Sequence, residues 1–181
     1  VIHLFERECT LQRRHQKVIE EAPAANLSAA MRERMAADAV RLGERLAYRG
    51  VGTVEFIVGE KDYHFLEVNP RLQVEHPVTE AITGHDLVEW QLRVAAGQPL
   101  PATQAQLTMR GHAIEARICA EDPARGFLPS TGMITRYSPA RGPNIRLDSG
   151  VEAGSFVSVF YDSLLAKVIA WGETRQTAID S

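Results

Sequence analysis

The sequence predicts an α+β fold, in which an antiparallel sheet with helices is followed by a mostly β region. Two stretches, 53–58 and 63–68, are rich in β-branched and aromatic residues and flank the turn signal Gly59-Glu60-Lys61-Asp62, which predicts a β-hairpin. After the proline-containing segment 98–108, the chain changes to short strands separated by turn residues, which indicates a second structural unit. The two predicted domains cover residues 1–105 and 106–181.

Length, charge and cysteine content exclude several classes of function. The 181 residues are 45% hydrophobic, which is ample for a buried core, and the formal net charge of −3 comes from well-mixed charges that suggest no nucleic-acid surface. No apolar run approaches the roughly 20 residues that a membrane span needs, and no signal peptide opens the chain. Cys9 and Cys119 have no partners at disulfide or zinc spacing, so we expect a reducing compartment.

Two strands and a long helix are predicted before the hairpin. The apolar run Val1–Glu6 favours a strand, and residues 18–22 favour a second strand that ends before a proline. Ser28 is a suitable N-cap for a helix that reaches Tyr48 and packs on the hairpin. The polar run 12–17 between the two strands either lies along the phosphates and ribose of a nucleotide or is a solvated surface loop.

The register of the hairpin follows from the alternation of side chains along a strand. With an odd-numbered loop centred on Lys61, Glu55 lies opposite Glu67. The same register gives the pairs Phe56–Leu66 and Ile57–Phe65. The face away from the carboxylates is predicted to pack as core through Val54, Phe56, Val58, Leu66 and Val68.

The facing carboxylates of Glu55 and Glu67 predict a metal site. Two such groups repel each other across a ladder, and a divalent cation removes the repulsion. With the side-chain oxygen of Asn69 they form a hard oxygen ligand set that suits Mg²⁺ or Mn²⁺ better than Zn²⁺. The alternative is a hairpin with a solvated acidic face. The site is favoured because polar residues continue where the strand should end, at Arg71, Gln73 and Glu75.

Two short helices and five strands are predicted after the hairpin. The first helix opens at Pro77 and ends at Thr83, and Asp86 caps the second helix. The strands cover residues 111–120, 132–137, 144–147, 155–159 and 164–171. Glu115 and Arg117 share one face of the first of these strands, and we expect them to form a structural ion pair.

The segment Glu67–Glu80, with the sequence EVNPRLQVEHPVTE, closely resembles biotin carboxylase, the ATP-grasp component of biotin-dependent carboxylases. Its E-x-N-x-R part alone would also fit carbamoyl-phosphate synthetase and other ATP-grasp ligases, whereas the extension QVEHPVTE is far more specific. Further matching segments are RRHQK (13–17), GHDL (84–87), GQPL (97–100), GHAIEAR (111–117), FLPS (127–130) and YDSLLAK (161–167). The resemblance implies the C-terminal half of an ATP-grasp domain, followed by a truncated biotin carboxylase C-terminal domain.

The resemblance also implies ATP-dependent carboxylation of biotin by bicarbonate. Carried over by position, Glu75 is the general base on bicarbonate, and Arg71 stabilises the anionic intermediate and the biotin enolate. The implied metal ligands, which bridge the phosphates of ATP, are Glu55, Glu67 and Asn69. The implied bicarbonate and biotin contacts are Lys17, Arg71, Gln73, the backbone of Val74, and Arg117. The other implied nucleotide contacts are Gln12, His15, Ile57 and Leu66. The register described above places the last two on opposite faces of the hairpin, which requires a twist or a bulge.

Partners and location follow from the same resemblance. Biotin is the substrate on a carrier domain, a carboxyltransferase component selects the acceptor, and the full-length protein is expected to be a homodimer in the cytoplasm or the mitochondrial matrix. The residue pattern of segment 147–171 resembles that of an acyl-CoA carboxylase more than that of a pyruvate or urea carboxylase. Two alternatives stay open, which are another ATP-grasp ligase and a non-catalytic dimerisation module. Because the family's N-terminal domain and lid precede Val1, the isolated chain is expected to be inactive.

Overall fold

The computed structural model describes all 181 residues and confirms the predicted α+β class, with antiparallel pairing in every sheet. The helices are α1 (Ala29–Arg45), α2 (His76–Thr83), α3 (Leu87–Ala95) and α4 (Arg175–Ile179). The strands are β1 (Gln12–Arg13), β2 (Gln16–Lys17), β3 (Ile19–Ala22), β4 (Thr53–Val58), β5 (Tyr63–Asn69), β6 (His112–Cys119), β7 (Glu121–Asp122), β8 (Leu128–Pro129), β9 (Gly132–Met133), β10 (Ile145–Ser149), β11 (Phe156–Val157) and β12 (Leu164–Gly172). None of the four helices combines the length and the apolar character that a membrane span requires.

A four-stranded sheet in the order β10-β12-β6-β3 forms the centre of the fold. Its edge strand β3 belongs to the region before residue 105, whereas the other three strands follow that residue, so the sheet crosses the predicted domain boundary. The boundary itself stays a prediction. Helix α2 covers one face of the sheet, and the core between them consists of Ala22, Val78, Ile82, Ala113 and Ile169. Because side chains alternate along a strand, Glu20, Glu115 and Arg117 lie on this covered face.

The helix starts agree with the sequence-based prediction. The hydroxyl of Ser28 accepts a hydrogen bond from the N–H of Met31 at 3.3 Å, and the carboxylate of Asp86 accepts one from the N–H of Glu89 at 2.8 Å. Helix α2 ends at Gly84, whose φ of 73° is in the left-handed region that favours glycine. Helix α2 begins at His76, directly after the polar loop that follows β5.

The strand predicted over residues 1–6 is wrong. The backbone of the N-terminal segment pairs with the sheet only at a single bridge between Glu8 and Glu21. Side chains hold the segment instead of a backbone ladder, since the carboxylate of Glu6 accepts a hydrogen bond from Arg32 at 2.7 Å. An apolar run therefore packed without forming a strand.

Other predicted strands differ mainly in length. The polar run 12–17 contains a small antiparallel ribbon of β1 and β2, with Arg14 and His15 at positive φ in its turn. Within 132–137 and 155–159, only the two-residue strands β9 and β11 pair with each other. The three remaining strands are confirmed as β6, β10 and β12.

The hairpin of β4 and β5 confirms the facing carboxylates but corrects the rest of the register. Glu55 pairs with Glu67, and a β-bulge follows, so Phe56 pairs with Phe65 and Ile57 with His64. Leu66 is the extra residue that the bulge leaves unpaired. The predicted core face is also wrong, because Leu66 is 51% and Val58 is 44% exposed. Helix α1 reaches the hairpin through a hydrogen bond of 2.7 Å from the hydroxyl of Tyr63 to Asp38.

Candidate active site

Lys17 lies at the centre of a cluster of charged side chains. Its Nζ is 2.7 Å from Oε1 of Glu55 on β4 and 2.7 Å from Oε1 of Glu75, which immediately precedes α2. Burial would lower the pKa of Lys17, but the hydrogen bonds to the two carboxylates raise that pKa to about 12. Lys17 therefore stays charged and holds together two carboxylates that are distant in sequence.

Glu75 is 2% exposed and has a cation at each oxygen. Lys17 binds Oε1, and the guanidinium of Arg117 on β6 donates to Oε2 at 2.8 Å. Burial would raise the pKa of Glu75, but the hydrogen bond and charge of Lys17 outweigh it and hold this pKa below its usual value. Glu75 is therefore a carboxylate at neutral pH. The predicted ion pair between Glu115 and Arg117 is wrong, because Arg117 reaches Glu75 and the oxygens of Glu115 have no hydrogen-bond partner.

The predicted metal ligands converge at the open end of the hairpin. Nδ2 of Asn69 is 3.2 Å from Oε1 of Glu55 and 3.2 Å from Oε1 of Glu67. An amide NH₂ between two carboxylates supplies the positive partial charge that a cation would supply. A half-turn of the amide exchanges its nitrogen and oxygen, so the set offers three hard oxygens of the kind that Mg²⁺ and Mn²⁺ prefer. No group of three or more His, Cys, Asp or Glu side chains is arranged to hold a metal ion, so the carboxamide is needed to complete the set.

The loop between β5 and α2 places three further predicted residues around the cluster. Gln73 is buried, and its Nε2 donates to Oε1 of Glu55 at 3.0 Å. Arg71 is exposed and donates only to a backbone carbonyl of the same loop, so its charge has no carboxylate partner. The carbonyl of Val74 accepts a hydrogen bond of 2.8 Å from Nζ of Lys167, which sequence reasoning did not assign to the site.

The four predicted nucleotide contacts lie around this cluster at exposed positions and not within it. Gln12 is the cross-strand partner of Lys17, and its amide donates to a backbone carbonyl at 2.9 Å. His15 lies in the turn of the same ribbon. Ile57 and Leu66 lie on the hairpin, where Ile57 pairs with His64 and Leu66 is the unpaired residue of the bulge. The nucleotide role of these four residues stays a prediction.

A cavity of about 300 Å³ lies next to the cluster, and Lys17 and Arg117 belong to its lining. The guanidinium of Arg13 lies 4.0 Å from the centroid of the Phe127 ring and also pairs with Glu121. The lining thus combines cationic, acidic and apolar side chains, including Arg13, Lys17, Arg117, Cys119, Glu121, Phe127, Asp162 and Leu164. A second cavity, of about 460 Å³, lies against α2 and β10 and includes none of the clustered residues.

Sequence reasoning missed a buried acidic pair next to the cluster. Glu20 and Glu115 are cross-strand partners on β3 and β6, and they are 4% and 1% exposed. Oε2 of Glu20 and both carboxyl oxygens of Glu115 lack hydrogen-bond partners. Burial raises the pKa of Glu20 to about 8 and that of Glu115 to about 7, and the negative charge of Glu75 adds to both shifts. The one signal in the sequence is a glutamate within each apolar strand pattern.

Two protein families match the chain. Residues 1–103 match the Carbamoyl-phosphate synthase L chain, ATP binding domain, and residues 115–181 match the Biotin carboxylase C-terminal domain. The mitochondrial methylcrotonoyl-CoA carboxylase subunit alpha of Arabidopsis thaliana is 53% identical over 99% of this chain and 25% of its own length. The biotin carboxylase of Halalkalibacterium halodurans is 53% identical over 99% of this chain and 40% of its own length.

A solved structure has the same fold. The biotin carboxylase domain dimer of the Hydrogenobacter thermophilus 2-oxoglutarate carboxylase, in complex with MgADP, ADP and bicarbonate, has a TM-score of 0.96 at 46% identity. The match covers 99% of this chain and 40% of that chain, so this chain spans well under half the length of the proteins that it matches. The chain therefore belongs to the family of the carbamoyl-phosphate synthase L chain ATP-binding domain, continued by a biotin carboxylase C-terminal domain, and the predicted resemblance to biotin carboxylase is confirmed.

Proposed function

We propose that the full-length protein carboxylates biotin with ATP and bicarbonate. The observation that supports this proposal is the buried carboxylate of Glu75, which is held between Lys17 and Arg117 and has a pKa below its usual value. Such a carboxylate can accept a proton at neutral pH, and the two cations stabilise the charge on deprotonated bicarbonate. The similar 2-oxoglutarate carboxylase domain is in complex with MgADP and bicarbonate, which agrees with these substrates.

In the proposed reaction, bicarbonate transfers its proton to Glu75. The glutamate becomes neutral, and the charges of Lys17 and Arg117 are then available to the new anion. An oxygen of that anion attacks the γ-phosphorus of ATP, so that a new O–P bond replaces the bond to ADP and carboxyphosphate forms. Carboxyphosphate breaks down to carbon dioxide and phosphate, and the released phosphate takes the N1 proton of biotin. Deprotonated N1 then attacks the carbon dioxide. Arg71, which has no carboxylate partner, stabilises the biotin enolate.

The proposed holders of the divalent cation are Glu55, Glu67 and Asn69. When bound, Mg²⁺ or Mn²⁺ would neutralise charge on the ATP phosphates and so favour phosphoryl transfer. The protein keeps this position anionic, because Lys17 and Gln73 donate hydrogen bonds to Glu55. Burial would raise the pKa of Glu55, but these hydrogen bonds outweigh it and hold the pKa below its usual value.

A labelling experiment on the full-length protein tests the proposed function. With free biotin, ATP, Mg²⁺ and radiolabelled bicarbonate, we expect acid-labile label to enter biotin and ADP release to require both bicarbonate and biotin. Formation of carbamoyl phosphate from an ammonia donor would instead support the alternative of a carbamoyl-phosphate synthetase-like ligase. An absence of any bicarbonate-dependent ATP hydrolysis would reject both enzymes and favour the non-catalytic dimerisation module.

The change Glu67→Gln is expected to raise the Mg²⁺ concentration for half-maximal ATP hydrolysis by at least about tenfold, because one of the two anionic metal ligands becomes neutral. The measurement is a Mg²⁺ titration at fixed ATP in the full-length enzyme. Glu60→Gln is the control, since Glu60 lies in the exposed turn of the same hairpin. Equal Mg²⁺ requirements in the two variants would remove Glu67 from the proposed site.

The change Arg71→Ala is expected to reduce biotin carboxylation by at least about 100-fold, which is the usual cost of losing one preplaced electrostatic contact in a transition state. The melting temperature should not change, because Arg71 is exposed and has only one hydrogen bond to a nearby carbonyl. Arg49→Ala is the control, since Arg49 is exposed on the connection between α1 and β4. Turnover equal to that of the control would contradict the assigned role.

We also propose that biotin reaches the site on a carrier domain and enters the cavity beside Lys17 and Arg117. A carboxyltransferase component then passes the carboxyl group to an acyl-CoA, although relatives named for methylcrotonoyl-CoA and for 2-oxoglutarate both match this chain. The similar 2-oxoglutarate carboxylase domain is a dimer, which supports a homodimer here. The proposed compartment is the cytoplasm or, in a eukaryote, the mitochondrial matrix, as for the plant relative.

A further inference from the structure

Arg7 lies in the N-terminal segment outside any strand, and its side chain is only 14% exposed. Its Nε donates to Oε1 of Glu20 on β3 at 3.1 Å, and one terminal nitrogen donates to the hydroxyl of Thr79 on α2 at 3.1 Å. The other terminal nitrogen donates to the hydroxyl of Thr53 on β4 at 3.3 Å and to the side-chain oxygen of Gln73. Four of the five N–H groups of this guanidinium are thus used, each on a different part of the fold.

These contacts determine which end of the Gln73 amide faces the cluster. Arginine has donors and no acceptor, so the amide atom that meets Arg7 must be the oxygen. The amide nitrogen therefore faces Glu55, to which it donates at 3.0 Å. A reversed amide would place NH₂ against the guanidinium and its oxygen against the carboxylate, which are two repulsive contacts. Arg7 and Glu55 together leave one orientation of Gln73.

We propose that Arg7 is a positioning residue for bicarbonate binding, and that it acts by fixing the Gln73 amide with its NH₂ toward the anion site. This inference rests on the proposed function, in which Gln73 contacts bicarbonate. Nε2 carries two hydrogens and donates to only one protein acceptor, Glu55, so the second hydrogen is available to a substrate oxygen. Arg7 acts through Gln73, because four of its five donors are committed to protein atoms.

Steady-state kinetics of the full-length enzyme separate this role from a general effect. Arg7→Lys keeps the positive charge beside Glu20, but a single ammonium cannot bridge the same four acceptors. We expect the KM for bicarbonate to rise about 10- to 100-fold, the range for a lost hydrogen bond to a charged group, while the KM for ATP changes less than about twofold. In a Gln73→Met background, Arg7→Lys should add less than about twofold to the KM for bicarbonate, because the amide is already absent. Multiplicative effects in the double variant would overturn the proposal.

A second readout does not depend on activity. With selective ¹⁵N labelling of glutamine side chains, the NH₂ signals of Gln73 are assigned by their loss in Gln73→Met. We expect these signals to lie apart from those of exposed glutamines and to move toward them in Arg7→Lys. Unchanged signals would overturn the positioning role even in an active enzyme. Failure of the proposed function would appear differently, as wild-type protein without bicarbonate-dependent ATP hydrolysis, and the amide signals would still decide whether Arg7 orients Gln73.

Arg32→Lys is the matched control, because Arg32 is also a partly buried arginine paired with a glutamate, Glu6, at 2.7 Å. It should leave the KM for bicarbonate and the Gln73 signals unchanged. If Arg7→Lys does not fold, Arg7→Met combined with Glu20→Gln removes the guanidinium together with the carboxyl group that it contacts, and the same two measurements apply. A rise in the KM for bicarbonate in the Arg32 control as large as that in the Arg7 variant would also reject the proposal.

Discussion

Replacing Glu75 with glutamine is expected to lower bicarbonate-dependent turnover by about 10²- to 10⁴-fold, the range that general bases contribute. The amide has nearly the same volume but cannot accept the proton of bicarbonate. It also cannot satisfy both cations, because its NH₂ would face either Lys17 or Arg117. The measurement is single-turnover ADP release in the full-length enzyme, with and without bicarbonate.

A suitable control for this change is Glu89→Gln, which alters an exposed glutamate on α3 that pairs with Arg93. We expect wild-type turnover in the control and a folded protein in both variants, as judged by circular dichroism. Because Glu75 is buried between two cations, its change should also cost some stability, and the folded fraction must be measured at the assay temperature. A folded Glu75→Gln enzyme with wild-type turnover would contradict the assignment of Glu75 as the base.

The second large effect is expected in the pH dependence of stability. The pKa values of Glu20 and Glu115 are raised to about 8 and about 7 in the folded protein, from an ordinary value of 4.5. Between pH 4.5 and these values the folded state binds more protons than the unfolded state, so the free energy of unfolding falls as pH rises, with a slope of about 1.4 kcal/mol per pH unit for each protonated group. From pH 6 to pH 8 each group should therefore contribute a loss of about 1–2 kcal/mol.

Urea unfolding of wild type and Glu115→Gln at pH 6 and pH 8 measures this effect. The variant cannot ionise at this position, so its loss between the two pH values should be smaller than that of wild type by about 1 kcal/mol. Glu152→Gln, at an exposed glutamate, should lose as much stability as wild type. The lowered pKa of His76, caused by burial, acts in the opposite direction below its ordinary value of 6.5, and comparison with the control removes this contribution. Equal losses in all three proteins would show that Glu115 is already ionised at pH 6.

The parts of the fold that depend on local patterns could be predicted from the sequence. Ser28 and Asp86 have the side chains that cap helices, and they do cap α1 and α3. The alternation of side chains placed Glu55 opposite Glu67. The resemblance already required a twist or a bulge near Ile57 and Leu66, but the position of the bulge could not be predicted, because no glycine or proline marks it in β5. It changed all three pairs between Glu55 and the turn.

In the candidate site, too, residues that are close in sequence could be predicted from their pattern and residues from distant segments could not. Residues that share a short segment, such as Gln73 and Glu75, were grouped by their spacing, and the family resemblance added Lys17 and Arg117. Arg7 could not be found in this way, because its segment has no strand pattern and its four acceptors come from separate parts of the chain. The expected pair of Glu115 with Arg117 failed because nearness along a strand says nothing about a competing carboxylate such as Glu75.

The ladder between β3 and β6 has a consequence for how this protein can be divided. It joins Ile19 to Ala116, which are separated by more than half of the chain. Closing such a long loop costs conformational entropy, and only the packing of the complete sheet against α2 offsets that cost. The segments that match the two families should therefore fold as one cooperative unit instead of two independent modules. A single proteolytic cut in the connection between α3 and β6 should leave both pieces associated, and neither should be a stable folded protein when expressed separately.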